Sequence, residues 1–199
     1  MDGTRTYFEL LGLPARFALD PQELEQRYRE ASRHWHPDRF SRAPASERAA
    51  VLQRATDLNQ AYRTLKSAAR RAEYLLKLRG VDLASEEPGK QPPMAPEFLG
   101  EIMELREELM DARAERDGQR LRQLRATIES RMAALGQQVA EGFSRLESSD
   151  ETTNQPKQVE LAPLTTALLA QRYFQRFLDE ISAQEEADAE AASAASLTL

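Results

Sequence analysis

The sequence predicts an all-α protein built as a helical hairpin domain followed by a separate three-helix antiparallel bundle. Three observations carry this expectation. Ala, Leu, Glu, Arg and Gln dominate, whereas β-branched residues are few and only 8 glycines occur in 199 residues, a balance that favours helix over sheet. Apolar residues recur at spacings of three and four through most of the chain. A stretch rich in proline, from Ser85 to Pro96, separates two such runs, so two small cores are expected rather than one large one.

The first domain spans residues 1–80. Tyr7, Phe8, Leu10 and Leu11, followed by Gly12 and Pro14, read as a brief helix with a glycine stop. Asp20, Pro21 and Glu23 supply an N-cap, a first-turn proline and a capping-box acid for a second helix. Leu24, Tyr28, Ala31 and Trp35 lay one apolar stripe along it, and Arg27, Arg29 and Arg33 occupy the other face. Pro37 ends this helix, because a proline disfavours the α conformation at the preceding His36 and has no N–H to donate. A loop from about His36 to Ser46 results. Val51, Ala55, Leu58, Tyr62 and Leu65 then mark a third helix able to pack antiparallel on the second, and Ala72, Leu75 and Leu78 before Gly80 a shorter fourth.

Residues 81–97 read as a proline-rich linker. The bundle is expected over 98–184. Its first helix covers Phe98 to Met110, its second carries Leu121, Leu124, Ile128, Met132, Leu135, Val139, Phe143 and Leu146, and its third runs from about Leu161 to Ala183. Ser148 to Gln158 reads as a polar loop. Residues 185–199, with little to bury, are expected to form a disordered tail.

Composition excludes several kinds of chemistry. Without cysteine there is no disulfide, thiolate metal site or cysteine nucleophile. His34 and His36 with only Asp38 nearby make a poor zinc set, so neither metal nor cofactor is expected. Met1 to Phe8 is polar rather than a signal core, and no run approaches the roughly 20 apolar residues that span a bilayer, which points to a cytoplasmic protein without a membrane partner. Neither a phosphate-binding glycine loop nor a nucleophile set is present, so the chain does not read as an enzyme. The charge is divided: Met1 to Gly80 holds 15 Lys and Arg against 10 Asp and Glu, whereas the remainder holds 12 against 23. Opposite signs suit different partners. A nucleic-acid reading using Arg27, Arg29, Arg33, Arg39 and Arg42 against phosphates stands as an alternative, opposed by the acidic remainder.

His36, Pro37 and Asp38 fall between two amphipathic helices, directly after a basic helical face. A bare tripeptide of this kind is equally a turn in which Asp38 bonds local amides, and the arginines equally a solvated face with pairs such as Glu25 to Arg29. The placement, however, resembles the J domain. The resemblance extends from Tyr7-Phe8-Glu9-Leu10-Leu11-Gly12-Leu13 through His34-Trp35-His36-Pro37-Asp38-Arg39-Phe40 to Leu58-Asn59-Gln60-Ala61-Tyr62-Arg63-Thr64-Leu65. It implies a co-chaperone whose His36-Pro37-Asp38 stimulates ATP hydrolysis by an HscA- or DnaK-type chaperone, with Arg27, Arg29 and Arg33 docking on that chaperone's acidic surface.

Arg71-Ala72-Glu73-Tyr74-Leu75-Leu76, Gly80-Val81-Asp82-Leu83, Leu105-Arg106-Glu107-Glu108-Leu109 and Arg176-Phe177-Leu178-Asp179 narrow the resemblance to the HscB family of iron-sulfur cluster assembly. That implies a carboxy-terminal bundle that binds an IscU-like scaffold protein. Helical geometry gives an independent indication: Phe98, Ile102, Leu105 and Leu109 share one stripe, and Leu99, Met103 and Met110 share a second roughly 120° around the helix. One stripe serves the core and leaves the other as an apolar patch bordered by acids. Carried over by position, Leu99, Met103, Glu104, Glu107, Asp111 and Phe177 are the candidate scaffold contacts, with ordinary bundle packing the other reading for Met103 and Phe177. The chain departs from the family pattern at Gly100, where a larger apolar residue is common. A J protein of a general DnaK-type chaperone, with another client, is the alternative function.

Overall fold

The computed structural model describes residues 5–84, 94–150 and 158–196. Every regular element among them is helical: α1 (Tyr7–Leu11), α2 (Pro21–His34), a 3-10 turn (Pro37–Phe40), α3 (Ala45–Lys66), α4 (Ala68–Leu78), α5 (Pro96–Ala114), α6 (Gly118–Asp150) and α7 (Gln158–Ser196). They divide into two compact units, one of Met1–Asp82 with Phe143–Pro156 and one of Leu83–Gly142 with Lys157–Leu199. Among the described residues no helix is long and apolar enough to cross a membrane.

In the first unit, α1 is fixed by a reciprocal capping box: Thr6 Oγ1 accepts from the Glu9 N–H at 3.2 Å, and the Glu9 carboxylate accepts from the Thr6 N–H at 2.7 Å. The Thr6 N–H, followed by the Thr6 hydroxyl donating at 3.1 Å, holds the Glu9 carboxyl below the usual carboxylate range. Gly12, at φ 63°, closes the helix in the left-handed region that a side chain disfavours. Phe8 and Leu11 enter the core, and the Tyr74 hydroxyl of α4 accepts from the Tyr7 N–H at 3.0 Å. Asp20 caps α2 through the Gln22 N–H at 2.9 Å, with Pro21 in the first turn. Glu23 does not complete the expected capping box but turns to Arg27 at 3.6 Å.

The α2–α3 pair is antiparallel, as the order of its contacts shows. Tyr62 of α3 donates to Glu25 near the start of α2, Tyr28 stacks on Tyr62 with ring centroids 4.1 Å apart and donates to Asn59 at 2.6 Å, and Trp35 at the end of α2 meets Arg54. The Tyr62 hydroxyl, followed by Arg29, holds the Glu25 carboxyl below its ordinary range. Leu24, Val51, Leu58, Ala61, Leu65 and Leu75 are buried along this pair and α4. The last turns of α6 cluster with this unit: Phe143 stacks on Phe17 at 5.0 Å, and Glu147 accepts from the Phe17 N–H at 2.6 Å. The sequence reading assigns Phe143 and Leu146 to the bundle, because a helical period says which residues are buried but not against what.

The second unit is an up-down-up bundle. Glu101 and Asp111 of α5 meet Arg131 and Arg120 of α6, an antiparallel pairing, whereas Phe98 and Arg106 of α5 meet Phe174 and Glu180 of α7 in parallel order. Leu105, Leu109, Leu121, Leu124, Ile128 and Phe174 form the core, with Phe98, Ile102, Met132 and Leu135 packed against it. Asp117 caps α6 by accepting from the Gln119 and Arg120 N–H groups at 3.0 Å.

Four sequence-based expectations are corrected. The loop after His36 contains a 3-10 turn. Pro96, read as linker, opens α5, where its missing N–H costs nothing. The tail expected to be disordered from 185 is instead a continuation of α7 to Ser196, since no glycine or proline interrupts it and alanine and glutamate favour helix. Phe177, offered as a scaffold contact, is only 2% exposed; with Phe174 and Ile181 it lies at spacings of three and four on the core face of α7. The rest of the expected linker at 85–93, the loop residues 151–157 and the last residues 197–199 lie outside the described residues.

Phe177→Ala is expected to remove about 3–5 kcal/mol of bundle stability, as read by urea unfolding of the full chain. Met103→Ala, on the exposed face, should stay within about 0.5 kcal/mol. Equal midpoints for the two variants would contradict the burial of Phe177.

Candidate functional site: an exposed corner and a helix stripe

The corner between α2 and α3 is built by the order of its residues. Trp35 ends α2, its N–H still donating to the Ala31 carbonyl at 3.0 Å. His36, held extended by the proline that follows it, has φ −69° and ψ 128°. Pro37 opens the 3-10 turn, and the His36 carbonyl accepts from the Arg39 N–H at 3.0 Å. The reading in which Asp38 caps the turn is resolved by these contacts: His36 Nδ1 accepts from the Asp38 N–H at 3.3 Å, and the Asp38 carboxylate points outward with its side chain 90% exposed. His36 Nδ1 also lies 3.5 Å from Asp38 Oδ2.

The basic face of α2 is partly paired. Arg29 meets Glu25 at 2.8 Å and Arg27 meets Glu23 at 3.6 Å, as a solvated helix face would. Exposed pairs of this kind contribute only about 0–1 kcal/mol, so an acidic partner surface competes with them at little cost. Arg33 donates to the Arg29 carbonyl and Arg39 to the Arg33 carbonyl, both at 3.3 Å. Beside α2 runs a groove of about 670 Å³ lined by Leu19, Glu25, Arg29, Arg33, Tyr62 and Lys66, among others. The sequence reading misses Lys66, because its charge on α3 joins those of α2 only once the two helices pair.

On the bundle, α5 carries both stripes read from the sequence. Leu105 and Leu109 are buried and Phe98 and Ile102 partly so, whereas Leu99, Met103 and Met110 are 45%, 72% and 64% exposed. Glu104, Glu107 and Asp111 are exposed on the same helix, and Asp111 lies 3.7 Å from Arg120. A side chain at Gly100 would meet open space. Tyr173 of α7 is partly exposed with its ring 5.9 Å from Phe98. Five of the six candidates therefore share one helix surface, and Phe177 stands apart from them in the core. Among the described residues no group of three or more acidic or histidine side chains is placed to hold a metal ion.

Comparison with known proteins agrees with both halves. Residues 6–74 match the DnaJ domain family, and residues 94–182 match the family described as the HSCB C-terminal oligomerisation domain. The co-chaperone protein HscB homolog of Cupriavidus taiwanensis is 45% identical over 134 residues, 65% of this chain and 74% of that protein. The co-chaperone protein HscB homolog of Vibrio cholerae is 48% identical over 103 residues, 52% of this chain and 58% of that protein. Among solved structures, chaperone HscB from Vibrio cholerae superposes with a TM-score of 0.71 at 29% identity, covering 92% of this chain and 98% of that one. Human co-chaperone protein HscB gives a TM-score of 0.74 at 27% identity, covering 93% and 84%. With its J domain followed by this bundle, the chain belongs to the HscB family of co-chaperones.

Proposed function

We propose that this protein activates ATP hydrolysis by an HscA- or DnaK-type chaperone through His36, Pro37 and Asp38, and delivers an IscU-like scaffold protein to it through the exposed face of α5. The observation that carries the first half is the outward Asp38 carboxylate on a corner whose backbone is already ordered. An ordered corner loses little entropy on docking, and an exposed carboxylate is suited to a charge-assisted bond with a partner arginine. Arg27, Arg29 and Arg33 supply a positive field that speeds encounter with an acidic surface. The chain contributes no reacting group of its own in this reading; it biases a machine that does the chemistry, and the pair works in the cytoplasm.

The second half rests on the stripe of Leu99, Met103 and Met110 with Glu104, Glu107 and Asp111 around it. Methionines adapt their shape to a partner, and the acids add register and selectivity. An iron-sulfur cluster on the scaffold is cargo here, not a cofactor of this chain. If the isolated scaffold gave no measurable complex with the full chain, the reading of a J protein with another client would take its place.

Asp38→Asn keeps the shape of the side chain and removes its charge. It is expected to bring ATP hydrolysis by the chaperone back to the unstimulated rate with unchanged helical circular dichroism; a variant that still stimulates normally would remove Asp38 from this role. Glu107→Lys is expected to weaken scaffold binding severalfold in calorimetric titration while stimulation without scaffold stays intact. Equal loss of both would mean a folding defect rather than a lost contact.

A further inference from the structure

None of the residues in the 3-10 turn is buried, so the corner is not held by the core of its unit. Its direction must come from local contacts. Beyond the backbone hydrogen bonds, the His36 cap and the Arg39 guanidinium on the Arg33 carbonyl, a further group holds it: Trp35 and Phe40 stack with centroids 6.2 Å apart and planes 11° from parallel, and the guanidinium carbon of Arg54 lies 4.1 Å from the centre of the Trp35 ring. Trp35 immediately precedes His36-Pro37-Asp38-Arg39, and Phe40 immediately follows it. The two rings therefore close the segment like the ends of a bracket, and Arg54, from the middle of α3, ties that bracket to the opposite helix. The His34 ring also meets Trp35, edge-on at 4.8 Å.

We infer that Trp35, Phe40 and Arg54 are positioning residues that form a clamp setting the direction of the Asp38 carboxylate. The inference rests on the proposed role of Asp38 but concerns how the corner is held, a property of the free protein. Burial does not explain the arrangement, since Trp35 and Phe40 are only half-buried and Arg54 is exposed. Its geometry does: a flat cation over an indole face is attracted by the ring's quadrupole, and an indole is the strongest such partner among the aromatic side chains. A lysine in place of Arg54 keeps the charge but loses the planar group that stacks. Arg54 thus belongs with the corner rather than with the docking arginines of α2.

The test uses the full chain in two parts. The first needs no chaperone: NMR solvent exchange at the Asp38, Arg39 and Ser41 amides, compared with the urea midpoint of the same protein. Arg54→Ala is expected to speed exchange at these amides about two- to fivefold, as befits loss of one exposed cation–π contact, with the midpoint unchanged. Trp35→Ala, which removes both ring contacts, should speed it further, and Trp35→Phe should restore part of the protection. The second part measures stimulation of chaperone ATP hydrolysis, expected to fall in the order wild type, Arg54→Ala, Trp35→Ala, with Trp35→Phe recovering. Unchanged exchange in Arg54→Ala overturns the clamp, because that exposed variant does not endanger the fold. So does full function in Arg54→Lys accompanied by a salt-dependent loss in Arg54→Ala at constant exchange, which would make Arg54 a docking charge. Absence of stimulation even by the wild type would refute the function proposed for Asp38 and leave the exchange result to decide the clamp by itself.

Discussion

Everything at the corner depends on the antiparallel pairing of α2 with α3. Three residues can present a carboxylate in a defined direction only if both helices that flank them are fixed, and here contacts from Glu25 to Trp35 on α2 and from Arg54 to Tyr62 on α3 fix them. Leu24 and Leu58 are buried from opposite sides, the Tyr28–Tyr62 stack sits midway, and Tyr62 donates to Glu25 near the far end. Apolar burial supplies most of the free energy, and the tyrosine contacts add register. Pro37 then converts the pairing into a corner: the helix cannot pass it, His36 is forced to extend, and the chain turns within four residues.

The bundle solves a different problem with the same means. A helix of 19 residues such as α5 has more apolar surface than two neighbours can cover when its apolar positions occupy two stripes. Leu105 and Leu109 meet Leu124, Ile128, Phe174 and Phe177 in the core, which leaves Leu99, Met103 and Met110 facing water. Exposing these apolar side chains has a cost in solubility that the surrounding acids offset. The ion pairs of Arg120 with Glu108, Asp111 and Glu115 hold the α5–α6 connection without covering the stripe.

Helical periodicity made most of this legible beforehand. Asp20 and Pro21 announced the start of α2, Pro37 its end, and the separation of the two α5 stripes followed from 3.6 residues per turn. What stayed hidden were matters of partner choice. The sequence reading offers Asp38 as the group that bonds the amides of the turn, and only the backbone path makes the His36 imidazole the acceptor. Phe177 carries the same hydrophobic signal whether it faces a partner or the core, and its spacing to Phe174 and Ile181 was the available clue. Phe143 continues a stripe that begins in the bundle, yet it stacks on Phe17. The end of α7 has no apolar stripe, so its helix rests on the propensity of alanine and glutamate, which a search for buried faces overlooks.

The central claim is that one chain couples an activating corner to a client-holding surface. Single-turnover ATP hydrolysis by the cognate chaperone, measured with this protein alone, with the scaffold alone and with both, tests it most directly. The account predicts that the two together accelerate hydrolysis by more than the product of their separate effects. Acceleration no greater than that product would mean that the corner and the bundle act without reference to each other, and the account would be wrong.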